Sequence, residues 1–192
     1  MKFCKTLIIT TSLLFSTVVI SAEREDVEKL RAEQIKKWGT SGLPKPQELI
    51  AKAKVILNKP IELQTIGELR KTAENSNKAA NYVGFILDQY ASYYRENYKY
   101  DFVQEKVAPF HDKYVVISNK LKNLRNQSYL NLGKKLASQG NETEAFFYFR
   151  DAYRLASFTD EEGDHKGIRY KAEREMLKLL ELGDMESFVY WQ

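Results

Sequence analysis

Over most of the chain, apolar residues recur at intervals of three or four, the spacing that gathers side chains on one face of a helix. The clearest stretch is NQSYLNLGKKLASQGNETEAFFYFRDAYRLASFT, residues 126–159. Tyr129, Leu132 and Leu136 mark one short amphipathic helix, and Phe149 and Leu155 mark a second. Gly140-Asn141 is the turn between them. Glycine suits the left-handed position that ends a helix, and Asn141 with Glu144 three residues later forms a start signal for the next. Gly133 and Ala145 are small where the two helices would cross, so their backbones can approach closely.

The same reading places the other elements. Val27, Leu30, Ile35 and Trp38 form a thin apolar stripe on a charged surface helix, Glu23 to Trp38, ended by Gly39. Residues 39–46, GTSGLPKP, read as a linker. Pro46 fits the first turn of a helix to about Leu57, which Asn58-Lys59-Pro60 stops. Thr65 and Glu68 form a capping pair for a short helix to about Asn75, with a turn at Asn75-Ser76-Asn77. Helical spacing resumes from Lys78 to Lys99 and from Asp101 to Arg125, the latter broken or kinked near Pro109. An acidic connection, Phe158 to Gly167, precedes a helix from Ile168 to about Leu182, where Gly183-Asp184 repeats the Gly140-Asn141 signal. The expected fold is all-α, built of antiparallel helical hairpins.

Met1 to Ala22 has the form of a secretory signal peptide: Lys2 and Lys5, an apolar run from Leu7 to Ile20, then Ser21-Ala22 as a small-residue cleavage site. The run is short for a membrane span of about 20 residues and carries several hydroxyls. The expected organisation is a signal peptide at 1–22, a charged helix and linker at 23–46, and a helical domain at 47–192. Cys4 is the single cysteine, so cleavage leaves a chain without disulfides. Lys and Arg number 30 against 26 Asp and Glu, and the signal segment takes two of the lysines. A nearly balanced chain with no basic block argues against nucleic acid and anionic membrane surfaces as partners.

The spacing Tyr129-x-x-Leu132-Gly133-x-x-Leu136, followed by Ala145-x-x-x-Phe149, resembles a tetratricopeptide repeat (TPR). Tyr129 stands for the usual Trp and Leu136 for the usual Tyr, and the closing Pro is missing. The resemblance implies a short solenoid of stacked hairpins that binds another protein or peptide. It also implies a degenerate, truncated second unit after Thr159, with its turn at Gly183-Asp184 and with Phe188, Tyr190 and Trp191 covering the end of the stack. The concave face would come mainly from the first helix of each pair. On that helix Gln127, Asn131 and Lys134 share a face by their spacing, with Lys135 beside it, and are the expected partner-binding residues.

Catalytic signals are sparse. His111 and His165 are the two histidines, and neither has a strong ligand at metal spacing. The carboxylates Asp160, Glu161, Glu162 and Asp164 do not follow the order of a calcium loop, so a solvated connection is expected there. No nucleophile elbow, zinc-protease helix or phosphate-cradling glycine loop occurs, and no cofactor or metal is expected. The segment from Tyr82 to Tyr114 is unusually aromatic. Helical rings usually pack in a core, and that is the expectation here; Tyr90, Tyr93, Tyr94 and Tyr98 are the alternative, an exposed aromatic surface. Asn126-Gln127-Ser128 and Asn141-Glu142-Thr143 match the glycosylation pattern, which matters only outside bacteria. The expected role is an exported, non-catalytic protein-binding or scaffolding module of a bacterial cell envelope, periplasmic or secreted. The alternatives are a glycan or peptide receptor using the tyrosines, and an enzyme with a carboxylate pair.

Overall fold

The structure, a computed structural model, describes residues 29–30, 32–33, 36–37, 39–156 and 167–183. The expected signal peptide, nearly all of the acidic connection and the end of the chain from Asp184 lie outside the described residues. Among those described, every regular element is a helix. The described residues between 29 and 37 are helical, and Gly39 follows with a φ of 59°. The chain divides between Ser41 and Gly42, and everything below concerns the unit from Gly42 onward.

Helix α1 spans Pro46–Leu57, with Pro46 in its first turn as expected. It buries Leu49 and Ala53, four residues apart on one face. Asn58 closes it, its N–H donating to Lys54 O at 2.9 Å. A 3₁₀ turn, Ile61–Leu63, leads to Gln64 and Thr65. Thr65 Oγ1 accepts from Glu68 N–H at 3.2 Å while Glu68 Oε2 accepts from Thr65 N–H at 3.2 Å, a reciprocal cap that opens α2, Ile66–Asn97.

The turn expected at Asn75-Ser76-Asn77 does not exist: α2 runs straight through it. Those residues are weak helix formers because their side chains compete for backbone groups, but here tertiary contacts occupy them. Ser76 is buried, and Asn77 Oδ1 accepts from Arg125 Nη1 at 2.9 Å. A π-helical stretch, Val103–Val107, precedes α3, Ala108–Ala137. Pro109 sits in the first turn of α3, directly after the π-helical stretch, so the α-helical pattern is broken near it as expected. The helix expected to end at Arg125 and the one expected to begin at Asn126 are one continuous helix. Asn126, which looked like a boundary, is buried and donates Nδ2 to Leu155 O at 3.0 Å.

Gly140, with φ 78°, ends the reversal between α3 and α4, Glu142–Leu155. Asn141 N–H reaches back to Leu136 O and Gly140 N–H to Ala137 O, each at 3.0 Å. Asn141 Oδ1 accepts from Glu144 N–H at 3.4 Å, and its Nδ2 donates to Glu144 Oε2 at 2.9 Å. Helix α5, Ile168–Leu179, ends earlier than expected. Leu182 N–H donates to Leu177 O at 2.8 Å, and the left-handed residue in that turn is Glu181, φ 58°, in place of Gly183.

The main core gathers Leu69 of α2, Leu130, Leu132 and Leu136 of α3, Ala145, Phe149 and Ala152 of α4, and Ala172 and Met176 of α5. Burying a side chain such as Phe149 stabilises by about 1.5–3 kcal/mol. Gly133 makes this packing possible: a Cβ there would lie 2.5 Å from Phe149 Cε1. Leu155, expected in the same seam, is 47% exposed; it occupies the last turn of α4, past the line of Ala145, Phe149 and Ala152. A second cluster joins Leu49 of α1 to Ala79, Ala80 and Val83 of α2 and Leu121 of α3. The all-helical class is thus established.

Candidate functional site

A groove of about 500 Å³ runs between the end of α1 and the middle of α3. Lys54, Leu57 and Asn58 form one wall; Asn119, Lys120, Asn123, Leu124 and Gln127 form the other. The α3 wall is a product of helical periodicity. Asn119, Asn123 and Gln127 are four apart and stack as a ladder of carboxamides along one line, with Lys120 and Leu124 along the next.

The polar groups of this groove are open. Among the described residues, the side chains of Asn58, Asn119 and Asn123 make no hydrogen bond and neither Lys54 nor Lys120 has an ion-pair partner. Among the described residues, no carboxylate lines the groove. The arrangement therefore offers paired donors and acceptors, two uncompensated positive charges, and aliphatic surface from Leu57 and Leu124. Such groups can bind and orient an extended ligand.

Gln127 is held by a relay of buried amides. Its Nε2 donates to Asn131 Oδ1 at 2.8 Å, and Asn131 Nδ2 donates to Gln64 Oε1 at 2.9 Å. Gln64 Nε2 then donates to Lys59 O at 2.7 Å and Leu57 O at 3.3 Å. Among the described residues, the Oε1 atom of Gln127, the residue that ends the ladder, has no donor.

The other expected partner-binding residues face inward contacts. Asn131, expected at the surface, is 8% exposed, because the chain from Pro60 to Gln64 crosses that face of α3. Lys135 donates Nζ to Glu62 O at 2.9 Å and Ile61 O at 3.3 Å, pinning the same crossing segment. Lys134 lies 3.6 Å from Glu175 of α5. Of the four, Gln127 alone lines the groove. Lys54, Asn58, Asn119, Lys120 and Asn123 were not singled out by sequence. The four-residue spacing of the carboxamides was visible there, but α1, which makes the opposite wall, was not placeable.

The tyrosines are divided. Tyr93 and Tyr98 are 47% and 50% exposed, which corrects the expectation of a core; the helices there extend past the second cluster, so few side chains cover them. Tyr94 is half-buried and stacks on His111, ring centroids 4.0 Å apart. Burial and then the Asp112 charge raise the Tyr94 hydroxyl above its usual range. His111 Nδ1 lies 3.2 Å from Asp112 Oδ1. The side chain of Tyr90 lies outside what is described, and the rings of Tyr93, Tyr94 and Tyr98 do not line the α1–α3 groove. His165 and the carboxylates at 160–164 also lie outside the described residues. Asn126 of the first glycosylation-type triplet is buried, whereas Asn141 is exposed. Among the described residues, no three His, Cys, Asp or Glu side chains are grouped to hold a metal ion, and no helix is long and apolar enough to cross a membrane. Comparison of the chain with protein-family models, curated proteins and solved structures gives no match.

Proposed function

We propose that this chain is a non-catalytic protein-binding module that holds a segment of its partner in the α1–α3 groove. The observation that supports this most is the groove itself: three carboxamides and two lysines without partners among the described residues converge on one concave strip. Polar groups left open to this extent in one place cost little in water and gain most when a ligand supplies the missing partners. The Met1–Ala22 segment adds that the module works after export, in the periplasm or outside the cell. The TPR-like spacing from Tyr129 to Phe149 supports the same class of function.

Site-specific photo-crosslinking in producing cells tests this reading. A benzophenone amino acid at position 123 is expected to capture a protein, and one at the exposed Lys71 position of α2 is not. A second reading rests on the exposed rings of Tyr93 and Tyr98. Capture from position 98 with none from position 123 moves the binding surface to the tyrosines and overturns the groove proposal.

A further inference from the structure

We infer that the occupant of the groove is an extended, acidic peptide segment gripped through its backbone. This rests on the protein-binding reading above and specifies the chemistry of the partner. The first argument is geometric. Residues four apart on α3 rise about 6 Å along the helix, while residues two apart in an extended chain advance about 6.6 Å. Asn119, Asn123 and Gln127 therefore keep step with every second peptide unit of a strand laid along them. A carboxamide carries both an acceptor and a donor, so each can bond the N–H and C=O groups that an extended chain turns to one side. The Asn131 relay holds Nε2 of Gln127 toward the protein, which orients that carboxamide before any ligand arrives.

Charge gives the second argument. Lys54 and Lys120 stand on opposite walls, and among the described residues neither is ion-paired and no carboxylate lines the space between them. A strand whose outward side chains include Asp or Glu meets both lysines, and a basic strand meets only repulsion. Leu57 and Leu124 give the intervening side chains aliphatic surface. The nine residues from Asn119 to Gln127 span about 12 Å of helix, enough for about four residues of extended chain.

Nuclear magnetic resonance titration of the isotope-labelled exported protein provides the test. The probes are acetyl-(Glu-Leu)3-amide, its analogue with Lys for Glu, and an analogue of the acidic peptide N-methylated at alternate residues. The acidic peptide should shift the side-chain amide signals of Asn58, Asn119 and Asn123, with affinity falling at higher salt. The N-methylated peptide should bind at least about tenfold more weakly, and Asn123→Ala and Lys120→Ser should each weaken the acidic peptide by about three- to tenfold. Lys120 and Asn123 are exposed on α3, so neither change is expected to disturb folding, and a thermal melt checks this. Equal binding of the Lys peptide overturns the charge assignment. Equal binding of the N-methylated peptide overturns the backbone ladder. Absence of any groove shift with the acidic peptide overturns the inference as a whole, and crosslinking from position 123 then decides whether the groove still receives a different kind of protein segment.

Discussion

Asn131 donates its Nδ2 hydrogen to Gln64 Oε1 across 2.9 Å, and the two side chains are only 8% and 2% exposed. They join α3 to the segment between α1 and α2, and through Gln127 they reach the groove. Breaking a buried amide pair strands the remaining partner without water, which costs about 1–3 kcal/mol. Asn131→Ala is therefore expected to destabilise the fold by that amount, as a lowered midpoint in urea denaturation with an unchanged slope. An unchanged midpoint would show that the relay contributes nothing to stability.

Gly133 admits the ring of Phe149. With a Cβ placed 2.5 Å from the ring edge, Gly133→Ala forces α3 and α4 apart or moves the ring off its rotamer. A loss of about 1–3 kcal/mol is expected from such overpacking. Phe149→Leu frees space at the same contact, so the double variant should lose less than the two single losses added together. Thermal melts of the three proteins decide it, and strict additivity would sink the contact.

Glu181 holds a left-handed backbone, φ 58°, at the end of α5. A side chain there costs about 1–2 kcal/mol that glycine avoids, offset in part by the greater freedom of glycine in the unfolded chain. Glu181→Gly should raise stability by about 0.5–1 kcal/mol. The same change at Gly140 in reverse, Gly140→Glu, should lower it. Chemical denaturation reads both, and a loss in the first would contradict the assigned turn.

Glu68 receives a hydrogen bond from Lys59 and others from Thr65, and these hold its carboxyl below the ordinary value of 4.5. A lowered folded-state pKa adds stability that is complete above about pH 4.5 and is lost as pH falls through the folded value. The melting temperature of the native protein should therefore exceed that of Glu68→Gln at pH 6, and the gap should close toward pH 3. A gap that is constant with pH would mean the carboxylate charge is not what the cap uses.

Sequence alone determined the helical class, because three- and four-residue periodicity is a local property of each segment. It also placed the Thr65–Glu68 cap, the Pro46 start and the Gly140 turn, whose geometry depends on a few consecutive residues. It marked Gly133 and Ala145 as the small residues of a helix crossing, since such residues carry their packing role in their size, while the structure showed that the ring over Gly133 is that of Phe149. The continuity of α2 through Asn75-Ser76-Asn77 and of α3 through Asn126 was decided by tertiary partners. Arg125 and Leu155 O occupy amides that locally favour a turn. The same holds for Asn131 and Lys135, which read as surface residues until the Pro60–Gln64 segment is laid across them. The groove belongs wholly to this second kind: its two walls, Lys54–Asn58 and Asn119–Gln127, lie more than sixty residues apart in the chain. Periodicity could align Asn119, Asn123 and Gln127 on one face, but only packing of α1 against α3 could decide that the face borders a groove and not open solvent.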